Sequence, residues 1–68
     1  MEFKAGDIVR YAYGKTGLAR LRTPHANGWH ADQCLGGIVF VSDTYPNHMS
    51  LATEEDIAEA KQSKFYVL

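Results

Sequence analysis

Apolar and polar residues alternate over short stretches of the chain, and no long stretch keeps the 3.6-residue period of an amphipathic helix. Gly6-Asp7 is a turn pair, and the β-branched and aromatic residues over 8–13 predict a strand. Its two faces are Val9, Tyr11 and Tyr13 on one side and Ile8, Arg10 and Ala12 on the other. Residues 14–17 read as a polar loop bounded by Gly14 and Gly17. Residues 18–23 predict a second strand, with Ala19 and Leu21 pointing one way and Arg20 and Arg22 lying together on a solvated face. The two strands and their loop predict an antiparallel hairpin.

Residues 24–37 interrupt this alternation. Pro24 removes a donor and is expected to end the second strand's hydrogen bonding, and Asn27-Gly28 matches a type I′ turn. His25, Trp29, His30, Asp32, Gln33 and Cys34 crowd around that turn, in a decorated long loop or in a small ribbon, closed by Gly36-Gly37. Ile38, Val39, Phe40 and Val41 form the most apolar run, which predicts a strand buried on both faces at the centre of the sheet. A turn region over 42–47 and a fourth short strand over 49–52 follow. Thr53 is placed to cap a helix, Asp56 to bond back to it, and Glu54, Glu55 and Asp56 to favour the positive end of the helix dipole. Ile57 and Ala60 give that helix a narrow apolar stripe, so it belongs on the outside. Residues 65–68 read as a short strand or a docked tail.

Six glycines and two prolines cut the chain into pieces too short for long helices. Five short strands close into a barrel more readily than they lie flat, because closure hides their edges. The expected fold is mainly β: a single SH3-like five-stranded barrel over residues 1–68, with a short helix before a last strand that pairs back near the first. The run KAGDIVRY at residues 4–11 resembles the first strand of many such barrels. Together, KAGDIVRYAYGKTGLARL, QCLGG and LATEEDI are similar to a group of small phage and prophage accessory proteins. The resemblance covers most of the chain, through glycines and core positions. It implies a viral origin, a host protein as partner and the host cytoplasm as compartment, and it carries over no activity.

Composition narrows the functional classes. With 68 residues, 46% hydrophobic and 22% charged, the chain has globular composition and room for one small core. Val, Ile, Leu and Phe number only 15, and the single Cys34 excludes an internal disulfide. A large enzyme with a deep pocket does not fit. The net charge of −1 argues against a strongly basic nucleic-acid coat protein. The charge is unevenly spread, however: residues 1–34 carry five basic and three acidic side chains, and residues 35–68 carry two and five. A bipolar chain suits an anion at one end, or pairing with a second copy to make a homo-oligomer. The absence of an 18-residue apolar run and of a signal-peptide core, with a lone cysteine, leads to an expectation of no membrane association and a cytoplasmic location.

Several constellations invite chemistry. His25, His30, Asp32, Cys34 and His48 carry metal-ligating groups, but His-x4-His-x3-Cys lacks a paired-cysteine knuckle, so neither a structural zinc nor another cofactor is expected. Cys34 beside His30 and Asp32 does not make a nucleophile, since a cysteine before Gly36-Gly37 and an apolar strand reads as a small core residue. Gly14-Lys15-Thr16 lacks the upstream glycine of a phosphate loop. Glu54, Glu55, Asp56 and Glu59 read as helix-start chemistry and a solvated face. Arg10, Lys15, Arg20 and Arg22 interleave with Tyr11, Tyr13, Trp29 and His30, and cations beside exposed aromatics suit stacked bases and phosphates. The chain is therefore expected to be a non-enzymatic interaction module that binds a host protein. The alternative is a nucleic-acid or nucleotide binder. The candidate binding residues are Tyr13, Lys15, Arg20, Arg22, His25, Trp29 and His30, with Trp29 expected to be exposed in a loop.

Overall fold

The computed structural model describes residues 3–42 and 49–68. Five strands, β1 (Ile8–Arg10), β2 (Leu18–His25), β3 (Gly28–Gln33), β4 (Ile38–Ser42) and β5 (Ser50–Leu51), precede one helix, α1 (Glu54–Ala60). The strands form one antiparallel sheet in the order β4-β3-β2-β1-β5. The fold is mainly β, as the punctuation requires. Among the described residues the sheet is open, with β4 and β5 as its edges, so the expected closing pair of a barrel is not made. Residues 65–68 form a docked tail and not a last strand, with the Val67 backbone N–H donating to the Cys34 carbonyl at 2.9 Å. Of the turn expected over 42–47, Ser42 instead ends β4, and residues 43–47 and the third histidine, His48, lie outside the described residues.

The apolar run at 38–41 is not the centre of the sheet. β1 to β4 are a meander, and β5 returns to pair with β1 through Val9↔Leu51 and Arg10↔Ser50. That return makes β2 the central strand and leaves β4 with β3 as its one strand partner among the described residues. Val41 is buried and Val39 half-buried, but Ile38 and Phe40 are 66% and 48% exposed. A strand with no polar residue from 38 to 41 therefore still has a wet face.

Residues 24–37 adopt the ribbon and not the long loop. Pro24 does not end β2; it lies within the strand opposite Trp29, and His25 pairs with Gly28 across a two-residue link at 26–27. No described residue other than glycine has positive φ, so Asn27-Gly28 does not form a type I′ turn. Gly28 is instead required by close approach, since a Cβ there would collide with the Val41 carbonyl oxygen of β4. At the other end of β3, Gly36 and Gly37 take φ of 104° and 89°, which a side chain would resist, and turn the chain into β4.

One irregularity governs which side chains share a face. Leu21 pairs with Ala31, but Thr23 pairs with His30, so Arg22 is an extra residue in β2 and forms a β-bulge. Side chains alternate between faces along a strand, and the extra residue reverses that parity for the rest of β2. Thr23 and His25 thereby join the face that carries Arg20, while Leu21 stays on the opposite face with Ala19.

Each face of the sheet has its own apolar cluster. On the inner face Val9, Ala19, Leu21, Ala31, Val41 and Met49 are buried together, with Phe3, Tyr11, Trp29 and Val39 packed against them. On the other face Leu18, Cys34 and Ala60 are buried beneath Ile8, Ala52, Ile57, Tyr66 and Leu68, so α1 and the tail cover the β1 end of that face. The helix starts as its sequence dictates. Thr53 Oγ1 accepts from the Asp56 backbone N–H at 3.0 Å, and Asp56 Oδ2 accepts from the Thr53 backbone N–H at 3.0 Å. Asp56 Oδ1 also accepts from Arg10 Nη2 at 3.0 Å. Arg10 Nη1 donates to the carbonyls of Ala12 and Gly14 at 3.1 and 2.7 Å, so one guanidinium joins β1, its following loop and α1.

These placements set two expectations. Leu21→Ala, in the inner cluster, should cost about 2–5 kcal/mol, enough to unfold so small a domain. Phe40→Ala should cost about 1 kcal/mol or less, because half of its ring is already in water. Urea denaturation midpoints check the contrast, and equal losses would contradict the strand order. The second concerns Asp56. The Thr53 backbone N–H and then the Arg10 side chain hold its carboxyl below the ordinary aspartate range. A carboxyl lowered on folding contributes stability that is complete above its unfolded pKa and lost as pH falls through the folded value. Wild type should therefore lose this contribution as pH drops below about 4, whereas Asp56→Asn should lack it at neutral pH and show a flatter acid limb in thermal melts.

Candidate functional site

The uncovered part of the second face lies on β2, β3 and β4. The ladder rows across these strands place Arg20, Asp32 and Ile38 together, then Thr23, His30 and Phe40, then His25, Gly28 and Ser42. Thr23, His25, His30, Ile38 and Phe40 are all exposed. The three rings meet edge to face: His25 to His30 at 4.2 Å between centroids, His30 to Phe40 at 5.5 Å and His25 to Phe40 at 5.9 Å. Gly28, in the row between His25 and Ser42, adds no side chain to separate them. His25 Nε2 and His30 Nδ1 lie 3.0 Å apart and share one hydrogen bond. Beside this cluster Arg22 Nη2 binds Asp32 Oδ1 at 2.8 Å, while Arg20 is exposed with no ion pair among the described residues.

The structure divides the seven sequence-derived candidates into three groups. Arg20, Arg22, His25 and His30 do come together on this face. Tyr13 and Lys15 are fully exposed or exposed in the loop between β1 and β2, outside the cluster of rings. Trp29 is not an exposed loop residue. It lies in β3 between Pro24 and Val41 in the ladder, half-buried, and packs against the inner cluster on the opposite side of the sheet from His30. Nor does Arg10 join the basic set, since the β1–β2 loop and Asp56 occupy its guanidinium. Phe40 and Ile38, which central burial seemed to remove from consideration, are the apolar half of the face. Nothing in the local pattern marks them, because their outward positions are as apolar as their inward ones.

Cys34 is buried, and its Sγ donates to the Thr16 carbonyl at 3.2 Å, away from His30. Among the described residues no three or more histidine, cysteine, aspartate or glutamate side chains gather as a metal site. No helix of the described residues is long and apolar enough to cross a membrane. Against protein-family models, curated proteins and solved structures alike, the chain has no match.

The two sides of β3 give Trp29 and His30 opposite roles. Trp29→Ala should lower stability by about 3 kcal/mol through lost packing, whereas His30→Ala should leave it within about 0.5 kcal/mol of wild type. Chemical denaturation of the two variants checks this, and a silent Trp29→Ala would place that ring in solvent after all.

Proposed function

We propose that this chain is a non-enzymatic interaction module whose open face on β2, β3 and β4 receives another protein. The observation that carries the reading is the exposure of Ile38 and Phe40, side by side in alternate positions of an edge strand, next to two exposed imidazoles. Contiguous apolar surface left in water on a small domain is characteristic of a contact region. Aromatic anchors bordered by arginine are also the groups that dominate binding energy when an interface closes over them. Arg20 forms no ion pair among the described residues, so the complementary partner brings an apolar side chain for Phe40 and an acidic one for Arg20. The resemblance to small phage accessory proteins supports a host protein as that partner and a host cytoplasm as the setting. The five-strand order with a helix after β5 supports an SH3-like reading of the fold, in which β4 and β5 would be the pair that closes the barrel. A binder fits better than an enzyme, since Asp32 is engaged by Arg22 and Cys34 is buried.

A second reading has its own support. Three exposed rings with Arg20 beside them resemble the stacking platforms that take single-stranded nucleic acid on a sheet face. Asp32 in the middle of the face and Ile38 at its edge fit this reading less well than they fit a protein.

The two readings separate by titration. In the protein reading, a partner isolated from the cells that carry the gene and then purified should bind wild type and lose at least about 2 kcal/mol, or roughly thirtyfold, to Phe40→Asp. Equal affinity for Phe40→Asp would overturn it. Single-stranded oligonucleotides should fail to bind even at low salt. Binding that falls steeply with salt and is lost in Arg20→Ala would establish the second reading in its place.

A further inference from the structure

The paired histidines carry an inference that stands independently of the protein-binding reading. We infer that His25 and His30 form an open, two-imidazole site for a divalent transition-metal ion of the Cu²⁺ or Ni²⁺ type. Their facing nitrogens, Nε2 of His25 and Nδ1 of His30, are 3.0 Å apart. An ion bound between these nitrogens would take the place of the hydrogen bond that now joins them. Imidazole suits the late first-row divalent ions, and nitrogen ligands hold Cu²⁺ most tightly among them, with Ni²⁺ close behind.

The placement supplies what the spacing alone does not. Both rings are exposed and stand on neighbouring strands of one hairpin, so a bound ion is open to water and cross-links β2 to β3 close to their turn. Phe40 borders both rings, restricting how far either can swing. The Arg22 bulge is what puts His25 on this face; without it the two imidazoles would lie on opposite sides of the sheet. An ion bound there needs both facing nitrogens as lone-pair donors, each ring then carrying its proton on its other nitrogen. Among the described residues Asp32, whose carboxylate is paired with Arg22, and Arg20 are the charged residues on this face of β2 and β3. With no third ligand gathered among the described residues, water completes the coordination and the site keeps exchangeable positions.

The test is titration of chelator-treated, desalted protein with CuCl2 at pH 7, followed by calorimetry and by ¹H–¹⁵N spectra. One ion per chain should bind, and its paramagnetism should bleach amide signals around residues 25, 30 and 40 before those of α1. Holding the second imidazole on the same fold makes its binding intramolecular, so His25→Ala and His30→Ala should each weaken the affinity about 10²-fold. Both residues are exposed, and a circular dichroism spectrum like that of wild type shows that each variant is folded. Unchanged affinity in either variant, or bleaching centred away from both residues, would overturn the assignment.

Discussion

A sheet has two faces, and apolar side chains on each leave water only where something else in the chain lies over them. Here the covering material is scarce. The inner face is covered by Phe3, Tyr11, Trp29, Val39 and Met49, and the β1 end of the other face by α1 and the tail. β2 passes between the two clusters, with Leu18 buried on one side and Ala19 and Leu21 on the other. The small side chains of Ala19, Ala31 and Ala60, all fully buried, allow close packing with little volume to fill. Among the described residues nothing further lies over the sheet, and what remains exposed is the face formed by β2, β3 and β4.

The Arg22 bulge decides what stands on that remaining face. A regular β2 would have sent Thr23 and His25 inward, toward Trp29, and left Arg22 beside Arg20. With one extra residue, His25 joins His30 and Phe40, and the guanidinium of Arg22 turns to Asp32. The contacts of the His25 ring with His30 and Phe40 and the shared imidazole hydrogen bond follow from one register shift. Bulges commonly re-aim side chains at sites of function, and this one brings His25 to His30, so that two of the residues the sequence singled out touch.

A second organising contact lies at the opposite end of the sheet. Arg10 draws the carbonyls of Ala12 and Gly14 and the carboxylate of Asp56 onto one guanidinium. The same carboxylate completes the cap of α1. Helix start, loop conformation and β1 are thus coupled through two side chains. That coupling holds α1 over Ile8 and Leu18 and away from the Phe40 end of the sheet.

How much of this was legible in the sequence follows from the range of each interaction. Thr53, Asp56 and the acidic first turn specify the helix start through contacts within four residues, so the local pattern was sufficient. The β1 and β2 hairpin was legible for the same reason, the burial of Cys34 from its residue type and the mainly β class from glycine and proline spacing. The rank of β4 within the sheet was not, because it depends on β5 returning to β1, a pairing some forty residues distant in the chain. A continuous apolar run reads as a central strand by its composition, and only strand order reveals that Ile38 and Phe40 lie at an edge. The side of the sheet taken by Trp29 and by His25 was equally hidden. Period-two alternation assigns faces only while the register is regular, and the bulge at Arg22 has no signature in residue type. The residues of the face were thus present in the sequence as a list of candidates, and their selection and mutual contact were decided by the ladder between β2, β3 and β4.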